Sequence, residues 1–100
     1  MKKIVNGRLY DTDTAKIIGS WNNGLSSTNS HYCTEDIYQK KNGEYFLHGS
    51  GGAMSIYGKP YGGGMCWGHD IIPMTEKEVK VWAEVHLTAD EYMVLYEVDE

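Results

Sequence analysis

Two short clusters in this 100-residue chain carry side chains able to hold a metal ion: His31-Tyr32-Cys33 and Cys66-Trp67-Gly68-His69. Zinc takes four nitrogen or sulfur donors in a tetrahedron. Residues two apart on a strand face the same way, and residues three apart in a glycine-containing turn can converge. His31, Cys33, Cys66 and His69 are therefore candidate ligands of a zinc-stabilised module or a small metal-dependent enzyme. The order His-x-Cys followed by Cys-x-x-His departs from the paired-Cys, paired-His spacing of zinc fingers. The competing reading is two buried thiols and two surface imidazoles, since free cysteine is among the most buried residue types.

Other chemistries are less well supported. The segment from Gly49 to Pro60 is glycine-rich and holds Lys59, but Pro60 stands where a phosphate loop needs Ser or Thr, and no helix start follows to offer its amides to a phosphate. Ser50 or Ser55 could be grouped with His48 or His69 and Asp70, or Cys33 with a histidine, yet none has the spacing of a nucleophile elbow. No catalytic residue and no cofactor is assigned, and the expectation is a non-catalytic protein.

The elements that must position these residues are legible from turn and cap signals. Asn6-Gly7 lies between Lys3-Ile4-Val5 and Arg8-Leu9-Tyr10, and Asn42-Gly43 lies between Asp36–Lys41 and Glu44–His48. Asn-Gly favours the left-handed angles of two-residue hairpin turns. Such a loop at Asn42-Gly43 sets Tyr38 opposite Leu47, so that Tyr38, Lys40, Tyr45 and Leu47 share one sheet face and Ile37, Phe46 and His48 the other. A third strand is expected from Thr14 to Trp21. Thr75-Glu76-Lys77-Glu78 and Thr88-Ala89-Asp90-Glu91 are two capping boxes, each with a hydrophobic staple: Met74 with Val79, and Leu87 with Tyr92. The first helix turns Val79, Trp82, Ala83 and His86 to the core, and the second turns Tyr92 and Leu95 inward. The expected fold is a single α+β domain over residues 1–100: an antiparallel sheet of about four or five strands from the two Asn-Gly hairpins, covered by two short C-terminal helices. Residues 1–48 form its strand-rich part, 49–70 a Gly-rich loop or strand, and 71–100 an acidic helical part.

Length and composition set limits. One hundred residues with 41% hydrophobic content suit one folded domain, without room for a second catalytic or targeting domain. No apolar run approaches the roughly 18 residues a membrane helix needs. Met1-Lys2-Lys3 leads into only Ile4-Val5 before Asn6-Gly7, so no signal peptide is expected and the location is read as cytoplasmic. The net charge of −5 is unevenly spread. Residues 1–69 carry seven basic and five acidic side chains, whereas residues 70–100 carry two basic and nine acidic ones. Tyr38, Tyr45 and Lys40 could form a stacking platform for single-stranded nucleic acid, but the overall negative charge opposes phosphate. The acidic helices favour a basic partner instead. The candidate partner-binding residues are Tyr57 and Tyr61 in the aromatic loop, with Glu84, Glu91, Glu97, Asp99 and Glu100 on the helical end.

The opening Met1 to Ala15, the central Asn42 to Met54, Ile71 to Val79, and Trp82 to Tyr92 resemble a family of small hypothetical proteins from phages, plasmids and integrative elements of Firmicutes. The likeness covers most of the chain. Family members often read Ser-Trp-Gly or Trp-Gly-Gly near the position of Cys66, which counts against zinc there. The resemblance implies a context in which small acidic proteins often act as non-enzymatic inhibitors of host defence, CRISPR effectors included. The expectation is therefore a non-catalytic protein-binding module, an anti-defence inhibitor that engages a basic surface of a host protein.

Overall fold

The computed structural model describes residues 1–99. The chain opens with a hairpin of β1 (Lys2–Val5) and β2 (Arg8–Asp11), in which Asn6 at φ 51° and Gly7 at φ 76° supply the two-residue turn. Four further strands form one antiparallel sheet: β3 (Lys16–Asn22), β4 (Cys33–Gln39), β5 (Tyr45–Gly51) and β8 (Gly68–Met74), adjacent in that order. A small hairpin of β6 (Lys59–Tyr61) and β7 (Gly64–Cys66) is inserted between β5 and β8. The helices α1 (Glu76–His86) and α2 (Ala89–Leu95) follow. The expected class holds: the protein is α+β, with an antiparallel sheet and two short C-terminal helices. The first Asn-Gly hairpin, however, forms its own two-stranded sheet rather than edge strands of the main one.

The main sheet is covered on both faces. Cys33, Ile37 and Leu47 on one face pack with Tyr57 against Val79, Trp82 and Ala83 of α1. On the other face Phe46 and Ile71 pack against Tyr10 of the first hairpin, with Val5, Ala15 and Tyr38 around them. The Tyr38 and Phe46 rings stack at 5.2 Å, and Tyr10 meets Phe46 edge-on at 5.6 Å.

The second hairpin differs from the expected register by one residue. Tyr38 stands opposite Phe46 and Ile37 opposite Leu47. Gly43 is left-handed at φ 90° while Asn42 is not, and the Gly43 N–H donates to the Lys40 carbonyl at 2.9 Å. This is a three-residue loop with a left-handed glycine, the alternative to the two-residue turn. Asn42 favours it by accepting the Glu44 N–H at 3.0 Å and donating to the Glu44 carboxylate at 2.6 Å. A one-residue slip exchanges faces. Ile37, Leu47 and Tyr45 consequently meet the helices, and Tyr38, Phe46 and His48 look the other way.

One other boundary shifts. Residues 71–74, expected at the start of the helical part, continue strand β8. Pro73 is tolerated there because β8 is an edge strand, where a missing N–H breaks no interior ladder. The opposite edge strand, β3, carries an irregularity between Ile17 and Gly19, a device that blunts exposed edges. The glycine run closes β5 for a steric reason: a methyl group at Gly49 would overlap the ring and hydroxyl of Tyr57.

Candidate functional site

Both capping boxes form as the spacing predicts. Thr75 accepts the Glu78 N–H at 3.1 Å while Glu78 accepts the Thr75 N–H at 2.9 Å, and Thr88 and Glu91 repeat the exchange at 3.2 and 2.9 Å. The caps orient the helices so that Val79, Trp82 and Ala83 are buried, which turns Val81, Glu84 and Val85 outward. Val81 and Val85, one turn apart, are 55% and 70% exposed. On α2 no residue is fully buried, Tyr92 and Leu95 are half-buried, and Met93 and Val94 are exposed, Val94 by 84%. Glu84, Asp90, Glu91, Glu97 and Asp99 are exposed among these apolar side chains. Among the described residues none of these five is within ion-pair distance of a base. Lys80 is occupied by Glu76 at 3.6 Å and by the Tyr96 ring, 4.9 Å away. The outer side of the two helices is thus an apolar surface set with carboxylates. Glu100 lies outside the described residues.

The aromatic loop divides. Tyr61 is 78% exposed at the end of β6. Tyr57 is only 6% exposed, so its assignment to a partner surface is corrected: it belongs to the core. Its hydroxyl donates to Oε2 of Glu35, a residue the sequence reading did not single out. Glu35 is 8% exposed, and its Oε1 accepts the indole N–H of Trp82 at 3.0 Å, with His86 Nε2 at 3.7 Å. Burial pushes the Tyr57 hydroxyl far up from its ordinary value, assisted by its hydrogen bond to Glu35 and the charge there, so it remains a donor. Alternation could have revealed Glu35, which falls between Cys33 and Ile37 on the inward face of β4.

A cleft of about 450 Å³ opens beside this carboxylate, between Trp21, His31, Cys33, His86 and residues 54–56. The Trp21 and His86 rings lie 4.2 Å apart. Burial, then the Glu35 charge, raises the Cys33 thiol above its ordinary value, which disfavours the thiolate that nucleophilic or metal chemistry requires. Ser55 Oγ donates to the Gly52 carbonyl at 2.8 Å and accepts the Tyr57 N–H at 3.2 Å, so it shapes the loop.

The four proposed zinc ligands are distributed rather than gathered. His31 is exposed in the loop before β4, Cys33 is buried on the helix side, Cys66 ends β7, and His69 lies on β8 beside His48. Both cysteines are free. Among the described residues no three His, Cys, Asp or Glu side chains are grouped to hold an ion. His48 is held below its ordinary value by burial and by His69, against the raising field of Asp36. The shared face expected for Tyr38, Lys40 and Tyr45 is also corrected. The register shift sends Tyr45 to the helix side, leaves Tyr38 stacked on Phe46, and places the Lys40 ammonium 4.4 Å from the Tyr10 ring.

Among the described residues no helix is long and apolar enough to cross a membrane. Comparison with protein-family models, curated proteins and solved structures finds no match to the chain.

Proposed function

We propose that this protein is a non-catalytic binding module whose outer helical surface engages a basic surface on another protein. The observation that carries this reading is the combination on α1 and α2 of exposed Val81, Val85, Met93 and Val94 with Glu84, Glu91, Glu97 and Asp99. Apolar side chains left in water favour association through their burial, and the carboxylates select a basic counterpart and speed the encounter. Tyr61 offers a second aromatic contact. The resemblance to proteins of mobile elements supports a more specific version: an inhibitor of a host defence protein, acting in the cytoplasm, that occupies a lysine- and arginine-lined groove otherwise used by nucleic acid. The negative charge of the helical end suits that groove and opposes direct nucleic-acid binding.

The test is capture of host proteins at low salt by the native chain and by a variant carrying Glu84→Gln, Glu91→Gln, Glu97→Gln, Asp99→Asn and Glu100→Gln. A basic host protein should be retained by the native chain, released by salt, and lost with the variant. Undiminished capture by the variant would sink the acidic-surface reading.

A further inference from the structure

Glu35 is a buried acid without a matching base. Both of its oxygens accept, Oε2 from the Tyr57 hydroxyl and Oε1 from the Trp82 indole N–H at 3.0 Å, which is the pattern of an ionised carboxylate. Both donors are neutral groups. Among the described residues no lysine or arginine comes within ion-pair distance of Glu35. The one nearby group able to carry positive charge is His86, whose Nε2 at 3.7 Å stands beyond the roughly 3.2 Å at which an N–H bond is made. Carboxylates are rarely buried to this degree unless a cation pairs with them.

The carboxylate is also reachable. It lines the cleft of about 450 Å³ together with Trp21, His31, Cys33, Met54 and His86, a volume within the roughly 300–1,000 Å³ of small-molecule sites. Hydrogen bonds hold the rim in place without a ligand. The Met54 N–H donates to the Ser30 carbonyl at 2.8 Å, the Gly52 N–H to that of Tyr32 at 2.9 Å, and Nδ2 of Asn23 to that of His31 at 2.8 Å. The half-buried Trp21 ring lies 4.2 Å from the His86 ring and gives the cleft an aromatic wall, while Met54, 62% exposed, adds an apolar thioether at the edge. Burial raises the Cys33 thiol, so it adds no second negative charge. A recessed carboxylate, an aromatic wall and no lysine or arginine in the lining suit an organic cation, because ring faces attract positive charge and apolar groups take up a carbon skeleton. An anion would meet Glu35, and a metal ion would lack ligands, since no three donors are grouped among the described residues.

We propose that this cleft binds a small organic ammonium ion, its charged nitrogen hydrogen-bonded to Glu35 and its apolar skeleton laid against Trp21 and Met54. A carboxylate has about four lone-pair sites, so an ammonium can be added without displacing Tyr57 or Trp82. The site is distinct from the outer helical surface, and neither reading depends on the other.

The experiment is titration of the intact protein with phenethylammonium chloride near about pH 8, where histidine is ordinarily neutral, followed by the indole N–H resonances of the three tryptophans. Trp21, in the cleft wall, and Trp82, bonded to Glu35, should shift together along one saturable curve, and Trp67, which does not line the cleft, should stay in place. Phenethyl alcohol, of the same shape without the charge, should produce no saturable shift over the same concentrations. Glu35→Gln should weaken ammonium binding about thirtyfold or more. The proposal is overturned if phenethylammonium leaves Trp21 and Trp82 unmoved, if the alcohol titrates as well as the ammonium, or if a folded Glu35→Gln variant keeps the native affinity. The comparison of ammonium with alcohol is made on the unmodified chain and decides the matter even where Glu35→Gln fails to fold.

Discussion

Glu35 shows what one buried residue can organise. It draws a donor from the glycine-rich loop through Tyr57 and another from α1 through Trp82, tying two distant parts of the chain to β4. A buried carboxylate is stabilising only while its oxygens are satisfied, because an unmade hydrogen bond exposes the full cost of its desolvation. Tyr57→Phe removes one donor and little volume. It should lower stability by about 1–3 kcal/mol, read as a lower denaturant midpoint at unchanged slope. An unshifted midpoint would mean that water satisfies Glu35 from the adjoining cleft. The same geometry explains why Tyr57 cannot serve as a partner contact: its hydroxyl already has a partner inside the molecule.

The helices have matching caps but different anchorage. α1 buries Val79, Trp82 and Ala83, while α2 buries no residue fully. Loss of a Thr cap removes about 1 kcal/mol from a helix, yet where that loss is felt depends on what the helix is coupled to. Thr75→Ala should therefore lower the global unfolding midpoint. Thr88→Ala should act locally, reducing amide-exchange protection across Ala89–Leu95 with a smaller change in the midpoint. Equal midpoint shifts for both variants would contradict this ordering. Light anchorage suits α2 to the proposed binding surface, since a helix with little buried area can adjust to a partner at low cost.

Across the whole molecule, charge is divided as the chain is divided, and several carboxylates serve as ties between elements. Asp70 is held below its ordinary range by the Lys3 ammonium at 2.7 Å, with help from the Ile71 N–H, and so fastens the first hairpin to β8. Glu44 is lowered chiefly by its hydrogen bond from Asn42, and Glu78 by the Thr75 N–H. A carboxyl lowered on folding binds fewer protons in the native than in the unfolded state, so stability rises with pH across its titration. The contribution is complete above about pH 5 and disappears as pH falls through the lowered values. Because His48 is lowered as well, thermal midpoints should begin to fall as pH drops through about 6.5 and fall further below about pH 5, with Asp70→Asn showing a shallower drop in the lower range. An acid response identical in that variant would remove Asp70 from the account.

Local order was legible in the sequence because its causes are local. Thr-x-x-Glu at 75–78 and 88–91 specifies two helix starts through bonds spanning three residues, and Asn6-Gly7 specifies a turn through backbone angles alone. Their inward faces follow from helical periodicity, and so does the carboxylate-bearing outer surface. What the residues around Asn42-Gly43 left open was a choice between two loops of similar local merit, and side-chain bonds to Glu44 together with two-sided packing settled it. That one-residue choice set the faces of Tyr38, Tyr45 and Phe46, and so dissolved the expected stacking platform. The pairing of His48 with His69 and the convergence of Tyr57 and Trp82 on Glu35 join residues 21, 22 and 47 positions apart. Spacing along the chain says nothing about such meetings. They depend on strand register and on how the glycine-rich loop lies across the sheet, and only the folded structure decides both.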